Sequence, residues 1–384
     1  MSEVNDSKQA RILIFRSALL PISETFIREQ AEALRCFQSV YAGLTRNLSG
    51  FPVSSHSILL THSSGRSAQL AKLLYRLNGY GPSFKAEAKQ ARPDLIHAHF
   101  ALDGVAALPL ARYLKVPLLV SLHGYDVTTH DSSLRKSISG LFYLLRRRQL
   151  WDQAEMFLCV SEFIRAKAIE AGFPKEKLRV HYTGVNCDTF RASDQRRDGT
   201  VLFVGRLVQK KGCSYLLDAM AQVCVTNPTT RLTVIGDGPL RNDLQTQAAR
   251  LNVPVDFLGA QPPEEVRRWM SRASVFCVPS LEAENGDSEG FGMVFAEAQA
   301  MGTPVVSFRH GGLPEAVDDG VTGLLVSERD TTALAGAIER LLSDTALWRR
   351  FSELGAARIR ESFSLDRQTH LLEDIYQSVL QTSH

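Results

Sequence analysis

The sequence predicts an α/β fold built from two doubly wound parallel sheets, and three observations carry that expectation. Short, continuously apolar runs alternate with amphipathic stretches at helical spacing, the pattern of strands covered on both faces by crossover helices. The alternation starts afresh near residue 200, after an aperiodic polar segment at 186–199. The chain has 384 residues, more than one core ordinarily holds at about 150 residues per domain. Its 44% hydrophobic and 22% charged residues, with 26 Gly and 15 Pro, exclude disordered, collagen-like and disulfide-scaffold classes.

Taken in order, the first series places strands at 11–17, 39–45, 95–100, 118–123, 156–161 and 178–182. Between them run amphipathic helices at 24–34, 69–77, 104–114, 134–150 and 162–171. The second series places strands at 201–205, 231–235, 255–258, 275–279, 304–307 and 323–326, with helices at 214–224, 240–250, 263–272, 292–301 and 331–342. The tail, 346–381, reads as helix with a break at Ser362, Phe363 and Ser364. Two Rossmann-like domains follow, 1–190 and 191–363, with the last helix, 364–381, packing back on the first. They are expected to face each other across a cleft, ligands binding beyond the carboxyl ends of the strands.

The net charge of +3 conceals an asymmetry: residues 1–190 carry 24 Lys and Arg against 16 Asp and Glu, the remainder 20 against 25. In the basic half Arg146, Arg147 and Arg148 follow Leu141–Leu145, and Arg66, Lys72, Arg76, Lys85, Lys89 and Arg92 spread over a neighbouring helical region. Such a surface can rest on anionic lipid and meet a lipid-linked acceptor, although solvated helix faces explain each stretch almost as well. Nucleic-acid binding is not expected, because no stacking surface interleaves these cations. Six scattered cysteines form no C-x-x-C pair and read as free thiols of a reducing compartment. The polar start lacks a signal-peptide core, and no run reaches the roughly 18 apolar residues of a membrane span. A cytoplasmic protein is expected, able to associate with the inner face of the membrane.

The chain lacks G-x-G-x-x-G after its first strand, a P-loop and a D-x-D clamp, so an anionic ligand must meet cationic side chains and backbone amides. Gly205-Arg206 through Lys211-Gly212, directly after the first strand of the second series, offers these: a turn, a planar fork and a mobile ammonium. The strongest stretch runs from Pro279 to Ala298. There an acidic loop leads to Glu289-Gly290-Phe291-Gly292 at the start of a helix, where N–H groups suit phosphate. Glu297 lies about 12 Å further if the intervening residues are helical, so one nucleotide-sugar-sized ligand can meet both carboxylates. Glu289 also suits the helix dipole alone, but Glu297 within Val294-Phe295-Ala296-Glu297-Ala298 is costly without a partner. In the first half, His123-Gly124-Tyr125-Asp126 follows a strand and presents an imidazole at its end. His97 and His99 share one strand face without requiring an ion, and with no third ligand nearby no metal is expected.

Together these residues resemble glycosyltransferase family 4, the retaining enzymes of GT-B fold that use nucleotide sugars. Further matching pieces are Gly236-Asp237-Gly238-Pro239, Ala300 to Val306, Gly311-Gly312-Leu313-Pro314-Glu315 and Gly320 to Val326. The resemblance implies that Arg206 and Lys211 hold the donor diphosphate and stabilise its departure, the role a metal plays elsewhere. It assigns Glu297 to the ribose, Glu289 and the backbone of Gly290, Phe291 and Gly292 to the sugar and phosphate, and 259–265 to the nucleobase. His123 would lie near the sugar from the opposite domain. Gly205, Gly236 and Asp237 complete the donor set; Glu24, His99 and Asp126 are cleft or acceptor candidates. No cofactor is implied beyond the donor, a UDP- or GDP-sugar.

Many members of that family place a Gly pair after the first strand; this chain has Pro21-Ile22-Ser23-Glu24-Thr25-Phe26, similar to a subset tied to bacterial exopolysaccharide and cell-surface glycan assembly. Ser23 is equally well explained as a helix N-cap and Glu24 as a first-turn acid. The implied reaction is hexosyl transfer to a saccharide or lipid-linked glycan. Its rivals are a nucleotide-sugar epimerase of the same architecture and a noncatalytic sugar-nucleotide or glycan-binding subunit.

Overall fold

A computed structural model describes residues 9–19, 24–46, 57–63, 65–192 and 198–382. The strands are β1 (Arg11–Phe15), β2 (Ala18–Leu19), β3 (Gln38–Gly43), β4 (Thr45–Arg46), β5 (Ser57–Leu59), β6 (Leu95–His99), β7 (Leu118–Leu122), β8 (Met156–Cys159) and β9 (Leu178–Val180). They continue with β10 (Thr200–Val204), β11 (Arg231–Ile235), β12 (Val255–Gly259), β13 (Val275–Cys277), β14 (Val305–Phe308) and β15 (Gly323–Val326). The chain divides into two compact units: Met1–Val160, Ile164–Gly184 and Leu365–His384 form one, Ser161–Phe163 and Val185–Ser364 the other.

The first unit holds a seven-stranded parallel sheet in the order β5-β3-β1-β6-β7-β8-β9. Its central strands β6 and β7 are buried along their whole length, so the apolar run needs no alternation. One cluster joins Ile12, Ile14, Tyr41 and Leu119 to Leu372, Ile375, Tyr376 and Val379 of the helix Leu365–Thr382. That helix is also held by Glu373, whose Oε1 accepts the N–H groups of Arg35 and Cys36 at 2.6 Å.

The second unit holds a six-stranded parallel sheet, β12-β11-β10-β13-β14-β15. In both sheets the first strand lies inside, and the order reverses beside it: β1 between β3 and β6, β10 between β11 and β13. At such a reversal neighbouring crossovers leave in opposite directions and open a crevice at the carboxyl ends of the strands.

The observed elements differ from the expected ones in physically readable places. The helix expected at 134–150 is two pieces, Asp131–Leu134 and Ile138–Gln153. Ser137 separates them: its Oγ accepts the N–H of Gly140 at 3.0 Å as an N-cap. The short pair β2 with β4, the strand β5 that pairs with β3, and the helix Pro82–Ala91 carry too little apolar periodicity to stand out. The second unit begins at Val185 rather than 191. Val185 is buried, bridges to Ser364 and donates its N–H to the Phe363 carbonyl at 2.8 Å, so packing rather than polarity marks the change.

Candidate active site

In the second unit the loops after β10 and β13 leave the strands that flank the reversal, and they cross at Gly212. That residue has φ +65°, and a Cβ on it would stand 1.9 Å from the Pro279 carbonyl oxygen, so only glycine permits the approach. The Leu281 N–H then bonds to the Lys210 carbonyl at 2.9 Å, and the Glu284 N–H to Gln209 Oε1 at 3.0 Å. This stitching aligns two ion pairs: Lys210 Nζ to Asp287 Oδ1 at 2.9 Å and Lys211 Nζ to Glu289 Oε2 at 2.5 Å. The Lys211 and Glu289 side chains are each only 14% exposed. Burial alone would raise the Glu289 carboxyl; Lys211, Lys210 and His310 outweigh it and hold it below its ordinary 4.5. Arg206 is exposed and makes no ion pair among the described residues.

Gly205 was expected to provide the tight turn, but the steric demand lies one strand over. A Cβ on Gly205 would meet only the Lys211 stem, at 3.6–3.7 Å, whereas one on Gly236, at φ +135°, would stand 1.9 Å from the Gly205 carbonyl. The Asp237 carboxylate shapes this turn, its Oδ1 accepting the Gly238 N–H at 2.8 Å. Gln261, in the 259–265 loop, donates to the Leu258 carbonyl at 2.6 Å.

Glu289 and Gly290 are approached by the loop after β14. The Gly312 N–H bonds to the Glu289 carbonyl at 3.0 Å, and a Cβ on Gly312 would reach within 2.0 Å of the Gly290 carbonyl. Gly292 precedes the helix Met293–Ala300 at φ +86°, and no side chain caps that helix, which leaves its first turn facing the crevice end of the sheet for an anion. Phe291 turns its ring into the core against Phe363, centroids 5.1 Å apart, so only its backbone can meet a ligand. Within the helix, Phe295, Ala296, Ala298, Gln299 and Ala300 are buried, while Glu297 shares a half-buried stripe with Met293 and Val294 at helical spacing. Glu297 is thus less of an exception than its apolar neighbours suggest.

One residue of this crevice escapes a sequence reading. His310, beside Gly311-Gly312, has a side chain only 5% exposed; its Nδ1 meets Glu328 Oε1 at 2.5 Å, and its Nε2 is buried without a hydrogen-bond partner among the described residues. A lone histidine in a loop carries no signal; the Gly-Gly that follows it was the available hint.

In the first unit the corresponding crevice gathers residues from the ends of β1, β6 and β7. Arg16, just after β1, binds Glu24 through Nε at 2.8 Å and Nη2 at 2.5 Å, and Asp103 through Nη1. Burial works against this charge, and Asp103 and Glu24 more than offset it, raising the guanidinium above its ordinary value. Sequence reasoning missed both Arg16 and Asp103. It read Glu24 as a first-turn acid; Glu24 instead occupies the N-cap position of Thr25–Glu32, makes no cap bond and spends its carboxylate on Arg16. Ser23, the expected cap, lies outside the described residues. Arg16 also stacks over Phe100 at 4.3 Å, and Phe100 has φ +73°, a conformation that costs a non-glycine residue about 1–3 kcal/mol.

His123 lies at the end of β7, its ring 4.6 Å from Phe100 and 5.1 Å from Phe26, with Nε2 3.1 Å from His99 Nδ1. Burial and then Arg16 push its pKa down to about 3, so the imidazole is neutral. His99 is buried behind it and stacks on His97, whose Nδ1 and Nε2 meet the Tyr376 hydroxyl at 2.6 Å and Ser121 Oγ at 2.8 Å. His99 supports His123 and does not itself line the crevice. Asp126 is likewise consumed: Oδ1 accepts the N–H groups of His123 and Gly124 at 3.1 and 3.0 Å, Oδ2 that of Ala101 at 2.8 Å. It organises the loop instead of contacting an acceptor. No group of three or more His, Cys, Asp or Glu is arranged to hold a metal ion among the described residues.

The model of glycosyl transferases group 1 matches residues 198–344, and that of Glycosyltransferase Family 4 matches 37–189. The chain is 33% identical over 292 residues to the amylovoran biosynthesis glycosyltransferase AmsK of Erwinia amylovora, covering 73% of this chain and 68% of that one. It is 33% identical over 295 residues to the D-inositol 3-phosphate glycosyltransferase of Frankia alni, covering 68% and 69%. The crystal structure of Anabaena HepE in complex with UDP and glucose superposes with a TM-score of 0.76 at 21% identity, over 96% of this chain and all of that one.

Proposed function

The chain belongs to glycosyltransferase family 4, an enzyme family of GT-B fold, and from that premise we propose that it moves a hexosyl group from a nucleoside diphosphate sugar to a saccharide or lipid-linked glycan. We infer further that the transfer retains anomeric configuration, needs no metal and serves exopolysaccharide or cell-surface glycan assembly in the cytoplasm. The relative named for amylovoran biosynthesis supports that setting.

The observation that carries the reading is the Lys211–Glu289 pair at the reversal of the second sheet. Lys211 and Arg206 stabilise the diphosphate as the bond from the anomeric carbon to the phosphate oxygen breaks, with the uncapped helix start adding backbone donors. The acceptor hydroxyl forms the new bond on the same face and passes its proton to a phosphate oxygen. Glu289, already engaged by Lys211, orients the sugar hydroxyls, and Glu297 takes the ribose. His123, in the crevice of the first unit, offers a neutral ring that hydrogen-bonds a hydroxyl without adding charge. HepE, solved with UDP and glucose, makes UDP-glucose the first donor to try.

The test is incubation with UDP- and GDP-hexoses and a membrane lipid extract, with and without chelator. Nucleoside diphosphate released in step with a glycoside that keeps the anomeric configuration of the donor supports the reading. Sugar interconversion without acceptor would establish the epimerase, and binding without turnover the noncatalytic subunit. Loss of activity in chelator overturns the metal-free mechanism, and a trapped glycosyl adduct on Glu289 the same-face transfer.

A further inference from the structure

The helices of the first unit carry an outer face of the wrong polarity for a water-exposed surface. In Ile138–Gln153 the positions that face outward are Ile138, Leu141, Leu145 and Arg148, at helical spacing, and Ile138 and Leu145 are 64% and 73% exposed. In Arg66–Asn78 the outward stripe is Leu70, Leu73 and Leu77. The two stripes meet: Leu77 and Leu145 line one open groove of about 550 Å³, and Arg146 Nη2 donates to the Leu77 carbonyl at 2.6 Å. A contiguous exposed apolar patch on a soluble domain marks an interaction surface.

The groove decides what that surface meets. Three cations line it, Lys85, Arg112 and Arg146, together with Tyr113, and no carboxylate does. None of the three is in an ion pair among the described residues; Lys85 rests 5.3 Å from the Tyr113 ring and Arg112 bonds Gln153 at 2.6 Å. The helix Arg66–Asn78 adds Arg66, Lys72 and Arg76 and contains no acid.

We propose that this face docks on an anionic lipid bilayer, the leucine and isoleucine stripes entering the headgroup boundary and the groove receiving a lipid phosphate. Aliphatic stripes edged by Lys, Arg and Tyr are what an interfacial helix needs. A second copy of the chain would bring the same cations against these, which disfavours self-association. Glycosyl transfer is not a premise of this inference, and its test reads binding alone.

The full-length protein is sedimented with mixed phosphatidylglycerol–phosphatidylcholine vesicles and with pure phosphatidylcholine vesicles. Binding is expected to the first and to weaken at least about tenfold on the second or at high salt. Leu145→Glu should weaken it about tenfold, with Ile138→Glu as the parallel variant, and Lys85→Gln about fivefold. Val225→Glu, at a 79% exposed valine of the other unit, should leave it unchanged. The leucine, isoleucine and valine variants melt like wild type, because those side chains are solvent-facing. Equal binding to both vesicle types, no binding to either, or wild-type binding by Leu145→Glu and Ile138→Glu overturns the proposal. So does a concentration-dependent dimer that Leu145→Glu abolishes without any vesicle binding.

Discussion

The two crevices occupy the same topological position and differ in charge. Beside β1, a single guanidinium is shared by two carboxylates and ringed by imidazoles that burial keeps neutral. Beside β10, two lysines pair one-to-one with Asp287 and Glu289, and Arg206 has no ion-pair partner among the described residues. The first arrangement has no cation left for a phosphate; the second has one, and its lysines can exchange a carboxylate for a phosphate oxygen. Net charge by halves points the other way, because Arg66, Lys72, Arg76, Lys85, Arg112 and Arg146 of the first unit lie on its helices and not at β1. The crevice, not the half, is the unit in which charge bears on chemistry.

The sharpest way to break this contrast is at Lys211. Lys211→Met should lower kcat/KM for a nucleotide sugar about 10³-fold, the scale of one lost electrostatic stabiliser at a developing charge. Glu289→Gln should cost a similar factor, and the double variant little more than either, because the two act as a pair. Full additivity would show that the ion pair is not the working element.

Acid should separate the units next. His97 and His181 have pKa values pushed down to about 3 and about 4 by burial, so between those values and 6.5 the unfolded chain binds more protons than the folded one. Stability therefore rises with pH through that window and is lost as pH falls, about 2 kcal/mol for each by pH 5. Asp126, raised to about 6 by burial, acts oppositely and returns about 1 kcal/mol. Glu289 is depressed, so its contribution persists at pH 5 and disappears only below 4.5. Hydrogen exchange, corrected for intrinsic rates, should show β6 and β7 losing protection between pH 7 and pH 5 while β10 and β13 keep theirs. Parallel loss in both sheets contradicts the assignment.

What could be read in advance follows the same division. The second crevice is carried by contiguous segments, Gly205 to Gly212 and Glu289 to Glu297, in which residue type and spacing travel together. The first is assembled from Arg16, Asp103 and His123, residues separated by the register of β1, β6 and β7, and only pairing Ile14 with His97 and His97 with Leu119 brings them to one edge. Asp126 and His99 looked like site residues because they sit at strand ends; burial converts both into supports. The basic, leucine-bearing stretches at 66–92 and 141–148 were legible, but which of their leucines lack a neighbour was not, since a helix with leucines on both sides reads as ordinary amphipathicity until the exposed side is seen.

A backbone change tests whether the second crevice depends on its loops crossing at one point. Gly212→Ala demands φ +65° of an alanine and drives its Cβ toward the Pro279 carbonyl 1.9 Å away. The loop after β10 must move by about an ångström, which is worth about 10² in rate at a preorganised site. Gly205→Ala, whose Cβ meets only the Lys211 stem at 3.6–3.7 Å, should cost no more than about threefold. Comparing kcat/KM of the pair distinguishes a demand of the crossing from a general intolerance of the loop; equal losses would remove Gly212 from its special place.

The smallest expected effect concerns His310. The Glu328 carboxylate accepts from Nδ1, which fixes the ring and leaves Nε2 buried with no hydrogen-bond partner among the described residues. A buried polar nitrogen of that kind costs about 1–3 kcal/mol when unmet, and a hydroxyl of the bound ligand, which can donate or accept, would recover part of it. Glu328→Gln keeps an oxygen that can accept from Nδ1 but removes the charge, so the ring holds its orientation and binds a hydroxyl less firmly. The expected result is a rise in KM for the nucleotide sugar of about threefold to tenfold with kcat nearly unchanged, while His310→Phe loses the ring nitrogen and produces the larger rise. A fall in kcat with KM unchanged would instead make His310 part of the electrostatic setting of Glu289, whose carboxyl it helps to hold down. Wild-type kinetics for both variants would assign the dyad to the packing of the Gly311-Gly312 loop, and the charge contrast between the crevices would then rest on Lys210, Lys211 and Arg206 alone.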